Sequence, residues 1–357
     1  MFRGYRALVA LLLIVLTAGC ANLTYYLQSV RGQLDIWSRQ HDIEQVIAAA
    51  ETAEPLREKL RGVLTIREFA SAELALPRNA SYRSYANLDR SFAVWNIFAT
   101  PEFSMQPRQW CFLFAGCVNY RGYFAKADAD EFAAGVAAEG YDVFVGGVPA
   151  YSLLGYFPDP VLNTFINYPR VHLARLIFHE LAHQVVYVRD DTVFNESFAV
   201  AVEHEGSRRW LERYGSEQDR KVYDEVTDRR NGFVNLIERY RLELESLYKT
   251  RLAPEAMRMR KAGLFAALQE DYRNLKESWG GYSGYDRWFS QQPNNALLAS
   301  VGIYTRRVPA FEALLAREGG DLRRFYAAAK ALARMSKPER TAALESLVPG
   351  TASASAH

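Results

Sequence analysis

The stretch LIFHELAHQVVY, residues 176–187, sets His179 and His183 four positions apart with Glu180 beside the first. On a helix, positions i and i+4 share a face, so both imidazoles can reach one tetrahedral ion. Glu180 then flanks the open coordination position, where a carboxylate can take a proton from a bound water. From Val171 to Tyr187 there is no Gly or Pro, and apolar residues fall on nearly every side. That pattern predicts a helix buried all round. Two imidazoles and a carboxylate inside such a helix are costly unless something pairs with them, and a metal ion answers that need.

Downstream, a short link leads to NESFAVAVE, residues 195–203, on a second helix predicted over 192–213. Asn195-Glu196-Ser197-Phe198-Ala199 resembles the N-E-G-F-A motif of the gluzincin metallopeptidases, in particular the aminopeptidase N family. The resemblance implies a zinc site of His179, His183 and Glu196. It also implies that Glu203, seven residues on and on the same helix face, supports a ligand histidine. Twelve residues separate His183 from Glu196, fewer than that family uses. His204 and Glu205 compete for the role of Glu196 but suit a solvated face. For the oxyanion donor the resemblance points to Tyr304, which opens YTRRVPAFEALLAREGG, although Arg306 and Arg307 replace the family's Lys-Gly. Tyr282 and Tyr285 stay open as alternatives. GGVPAYSLLGYFPDP, residues 146–160, stands where that family has its substrate-binding strand, with Gly146, Gly147, Ala150 and Tyr151 as candidate peptide contacts. Its one carboxylate is Asp159, so it offers no Glu to hold a substrate's amino terminus.

The flanks define the setting. Arg3 and Arg6 precede an apolar run, Ala7 to Leu16, ending in Thr17-Ala18-Gly19-Cys20. This reads as an export signal over 1–19 and resembles a bacterial lipobox, implying a lipid on Cys20. Ala21 after the cysteine implies the outer membrane, facing the periplasm. Cys111 and Cys117 then form an even pair, expected to be a disulfide across a strand-turn-strand. A net charge of +2 with no dense Lys/Arg block gives no reason to expect nucleic acid.

The expected fold is α+β and mostly helical. It comprises an N-terminal helical region (20–85), a gluzincin-like catalytic core (86–213) with a small β-sheet and the buried HExxH helix, and a long inserted hairpin (214–279). A C-terminal helical part (280–346) and a small polar tail (347–357) complete it. The hairpin comes from two amphipathic segments broken at RLAPEA, where Pro254 suits a first helical turn. Over nearly its whole mature length the chain is similar to a family of bacterial lipoproteins described as predicted aminopeptidases, through YYLQSVRGQL, AGCVNYRGYF, VGGVPAYS, LIFHELAHQVVY and FNESFA. These observations imply a membrane-tethered zinc metallopeptidase acting on peptides. A zinc amidohydrolase of cell-wall or other non-peptide amides would use the same residues. An envelope scaffolding lipoprotein with structural zinc is the third reading, against which the intact Glu180 argues.

Overall fold

A computed structural model of the protein describes residues 23–112, 116–305 and 307–348, apart from the side chains of 303–305. The expected signal segment, Cys20 and the tail from 349 lie outside the described residues.

Helix α1 (23–38) leads into β1 (Gln40–Asp42), α2 (Ile43–Ala48) and α3 (Glu54–Ala72). Asp42 caps α2 by accepting the N–H of Glu44 at 2.8 Å. Pro55 occupies the first turn of α3, where its missing N–H is not needed. The aromatic and β-branched middle of the chain forms β2 (Ser84–Ala86), β3 (Val94–Pro101), β4 (Trp110–Phe112), β5 (Gly116–Val118) and β6 (Arg121–Tyr123). After α4 (Lys126–Ala138) come β7 (Tyr141–Val148) and β8 (Val161–Leu162). These strands make three small sheets, ordered β1-β2-β8, β6-β3-β7 and β4-β5. β3 and β7 pair antiparallel from Val94↔Val148 to Pro101↔Tyr141. In the β4-β5 ribbon Cys111 lies opposite Cys117, and the two are disulfide-bonded.

The second half is helical: α5 (Arg170–His183), α6 (Thr192–Tyr214), α7 (Glu217–Tyr248), α8 (Pro254–Ser278), α9 (Asp286–Phe289), α10 (Asn295–Thr305), α11 (Val308–Arg317), α12 (Leu322–Ala333) and α13 (Lys337–Glu345). One core joins α3, α5 and α6 to α11 and α12 through Phe178, Phe198, Phe311 and Phe325. At Gly206 a Cβ would come within 2.8 Å of Leu74 and Phe178, so the glycine lets α6 lie close on α5. A second core lies inside the α7–α8 hairpin and continues through Phe289 and Leu298 into α9 and α10. The hairpin is laid along the body: Arg258 of α8 pairs with Glu102 at 2.7 Å, and Lys261 with Asp142 at 2.6 Å.

Two expectations about α5 need correction. The helix ends at His183, short of Tyr187, because Val185, Val186 and Val188 are β-branched and the Gln184 side chain is drawn to Asn79, Ser81 and Asp159. Nor is it buried all round. His172, Arg175, Leu176, His179 and Glu180 form one side that lines a cleft of about 450 Å³. Arg175 and His172 interrupt the apolar pattern on that side only, while Ala174, Ile177, Phe178 and Leu181 are buried.

Candidate metal centre

The early end of α5 makes the short link work. Residues 184–191 turn the chain back so that α6 packs against α5. Asn195 fixes this turn from inside α6: its side chain accepts the N–H of Val188 and donates to the Val188 carbonyl, both at 2.8 Å. Asp191 caps α6 by accepting the N–H of Phe194 at 3.3 Å and is paired at 2.7 Å with Arg340 of α13.

These anchors bring one face of α6 against the histidine face of α5. Glu196 Oε2 lies 3.3 Å from His179 Nε2 and 3.7 Å from His183 Nε2. One donor atom from each of the three residues falls within 4.8 Å of the others, and this trio could hold a metal ion. Three donors at about 2.0–2.1 Å from a tetrahedral ion stand roughly 3.3–3.4 Å apart, close to the spacings seen at Glu196. Two imidazoles and a carboxylate suit a divalent transition metal. Without an ion the trio is an ion pair. Burial opposes charge on His179, but hydrogen bonds to Glu196 and Glu203 outweigh it and hold the ring's pKa well above the usual histidine range. Burial would raise Glu196, yet the two histidines bring it down to about 2.

Glu203 sits one helical face-repeat beyond Glu196 and accepts from His179 Nδ1 at 2.9 Å. That bond leaves Nε2 turned to the donor cluster. The other oxygen of Glu203 is held by Arg175 of α5 and, at 3.0 Å, by Arg230 of α7. Glu180 lines the cleft beside the trio, and burial raises its carboxyl against the pull of both histidines.

The remaining candidates are placed as follows. His204 bonds Glu312 at 2.9 Å, and Glu205 is taken by Arg208 and Arg209, so both point away from the trio. Tyr304 lies in the last turn of α10, which packs on α6, but its side chain is outside the described residues. Tyr285 stacks on Phe233 at 4.2 Å, and the Tyr282 ring lies under Arg229. Gly146 and Gly147 lie in β7 opposite Asn96 and Trp95. A Cβ on Gly147 would strike Phe92 at 2.5 Å, so that glycine already serves a side chain of this protein. Ala150 and Tyr151 pack on the main core, and the Tyr151 hydroxyl donates to Gln33 of α1. They face a small cavity with Tyr82 and Asp159, not the cleft.

Sequence reasoning missed several neighbours. Arg175 had a signal, since it stands four residues before His179 on the same face. Arg230 had none, because it arrives on another helix. Tyr120, between β5 and β6, has its pKa raised by burial and then by Glu196, Tyr187 and Glu180. Asp159 is 2% exposed, accepts from Leu153 N at 2.9 Å and Ser152 Oγ at 3.1 Å, and is pushed up to about 7 by burial.

No curated protein and no solved structure matches the chain. A family model described as "Putative aminopeptidase" matches residues 24–344. That match spans the two helices of the candidate metal centre, the three sheets and the hairpin, and the chain therefore belongs to this aminopeptidase family.

Proposed function

We propose that the protein is a zinc metallopeptidase of the gluzincin type, tethered to a bacterial outer membrane through a lipid on Cys20 and working on peptides in the periplasm. The observation that carries this reading is the convergence of His179, His183 and Glu196 with Glu180 on the wall of an open cleft. Zinc held by those three residues would polarise a peptide carbonyl and make a nearby water acidic enough to attack it at neutral pH. Glu180 takes the proton from the attacking water and passes it to the leaving amine. Its raised pKa brings it closer to neutrality, where a carboxyl both accepts and returns a proton efficiently. Glu203 orients His179, and a tyrosine hydroxyl, that of Tyr304 or Tyr120, donates to the oxygen that gains charge.

The test is digestion of a peptide library by the purified protein, with free and with acetylated amino termini, alongside metal analysis. The expected result is cleavage dependent on one zinc per chain, with zinc lost in Glu196→Ala. Wild-type zinc content in Glu196→Ala would move the third ligand elsewhere. A zinc-loaded protein that cuts no peptide but releases amine from cell-wall amides would favour the amidohydrolase.

A further inference from the structure

Helix α1 is apolar on both of its sides. The side seated on the body places Ile36 in the main core and Tyr25 against Tyr123, with Gln28 and Gln33 bonding beside them. Gln28 donates to the Gly122 carbonyl at 3.4 Å and accepts the N–H of Phe124 at 3.3 Å. Gln33 accepts from Tyr151, and at Gly32 an added Cβ would lie 2.1 Å from the Phe124 ring, so the helix is pressed onto that ring. The opposite side carries Leu23, Leu27, Val30 and Leu34, which are 58, 61, 57 and 53% exposed. Their spacing of four, three and four residues makes a single stripe, and Trp37 extends it by one turn. Phe157 packs on Trp37 at 4.8 Å and is itself 51% exposed, and its neighbour Tyr156 is 77% exposed. A contiguous apolar stripe about 20 Å long, ending in aromatic rings, is what a soluble surface avoids unless something covers it.

We propose that this face lies on a lipid bilayer, with α1 parallel to the membrane and the 156–157 loop touching it. The proposal rests on the tethering of Cys20 and deepens it. Three residues of chain from Cys20 to Leu23 span at most about 10 Å, so a lipid on Cys20 holds the start of the stripe at the membrane surface. No described helix is long and apolar enough to cross a membrane, and α1 is bound to the body along the side opposite the stripe, so it can lie on a bilayer but not span it. Trp37, Tyr156 and Phe157 supply the ring types that settle at the headgroup level. The tether alone would leave the body free to tumble. The stripe fixes its orientation.

The test uses the full, lipidated chain on phosphatidylethanolamine–phosphatidylglycerol vesicles that contain an apolar diazirine photoreagent. The expected adducts fall within 23–34 and 156–157, and are lost from 23–34 in a Leu27→Glu, Leu34→Glu chain that keeps its helix content and still sediments with vesicles. Sedimentation of the wild type without adducts at those positions overturns the bilayer face and leaves the tether standing. If the wild type stays in the supernatant, the tether itself fails. Dimerisation in solution that the double variant lacks would assign the face to a second copy and overturn the proposal as well.

Discussion

Glu180 of α5 and Glu203 of α6 line the same cleft but differ in task, and replacing Glu180 separates chemistry from support. Glu180→Gln keeps the size of the side chain and removes the proton acceptor. Zinc content and thermal midpoint should stay at the wild-type level, while hydrolysis falls by several orders of magnitude. Full activity in that variant would end the base assignment. Tyr304→Phe and Tyr120→Phe, measured in parallel, identify the oxyanion donor: the correct one loses about two to three orders in kcat with metal retained. Asp159 gives a different readout, because its folded pKa of about 7 stands well above the value near 4 of an unfolded aspartate. Its protonated form is the stable one when folded, so its contribution is complete below about pH 4 and is lost as the pH rises through about 7. Asp159→Asn cannot ionise. In chelator, its urea midpoint should decline less than the wild type's between pH 4 and 8, and parallel profiles would contradict the burial of a proton there. The candidate donors His179, His183 and Glu196 were legible because H-E-x-x-H and NESFA tie identity to spacing within one helix. Asp159, Tyr120 and Arg230 were not, since what makes them matter is a neighbour far away in the chain.

At the scale of elements, the candidate metal centre is two helices held in register by side chains at the ends of their link. The Asp191–Arg340 pair is the firmest of these, with both side chains only 3% exposed and α13 on the other end. Asp191→Ala removes the cap of α6 and strands a buried guanidinium. The loss should be about 3–5 kcal/mol of unfolding free energy, read from a denaturant midpoint, and zinc affinity should fall with it. An unchanged midpoint would show that α13 contributes nothing to the position of α6. Helical periodicity and the break at RLAPEA made α6, α7 and α8 legible within a residue or two of their ends. The end of α5 was not legible, because apolar residues continue through Val185 and Val186 and the long-range bonds of Gln184 that help to stop the helix reach parts of the chain far away in sequence. The sheets were foreseen as one and are three, since strands of two and three residues carry too little pattern to announce their partners.

At the scale of the molecule, two cores meet at one carboxylate. Glu203 belongs to the main core through α6, its partner Arg175 to the same core through α5, and Arg230 to the hairpin. Arg230→Met keeps the apolar stem and removes the charge. The chain should stay folded by circular dichroism while metal affinity or activity drops 10- to 100-fold, the usual effect of removing support behind a metal ligand. Wild-type metal affinity and activity would show that the hairpin lends the site nothing. The joint also bears on how the protein fails and how it matures. Heat that frees the hairpin breaks the contacts of the smaller core and the ion pairs of Arg258 and Lys261 with the body, yet leaves the main core in place; it slackens Glu203 and with it His179, so inactivation should come at a lower temperature than loss of the helical signal. Run in the other direction, the same dependence would make an interlock: a chain whose hairpin has not yet docked should hold His179 loosely and be inactive while it folds.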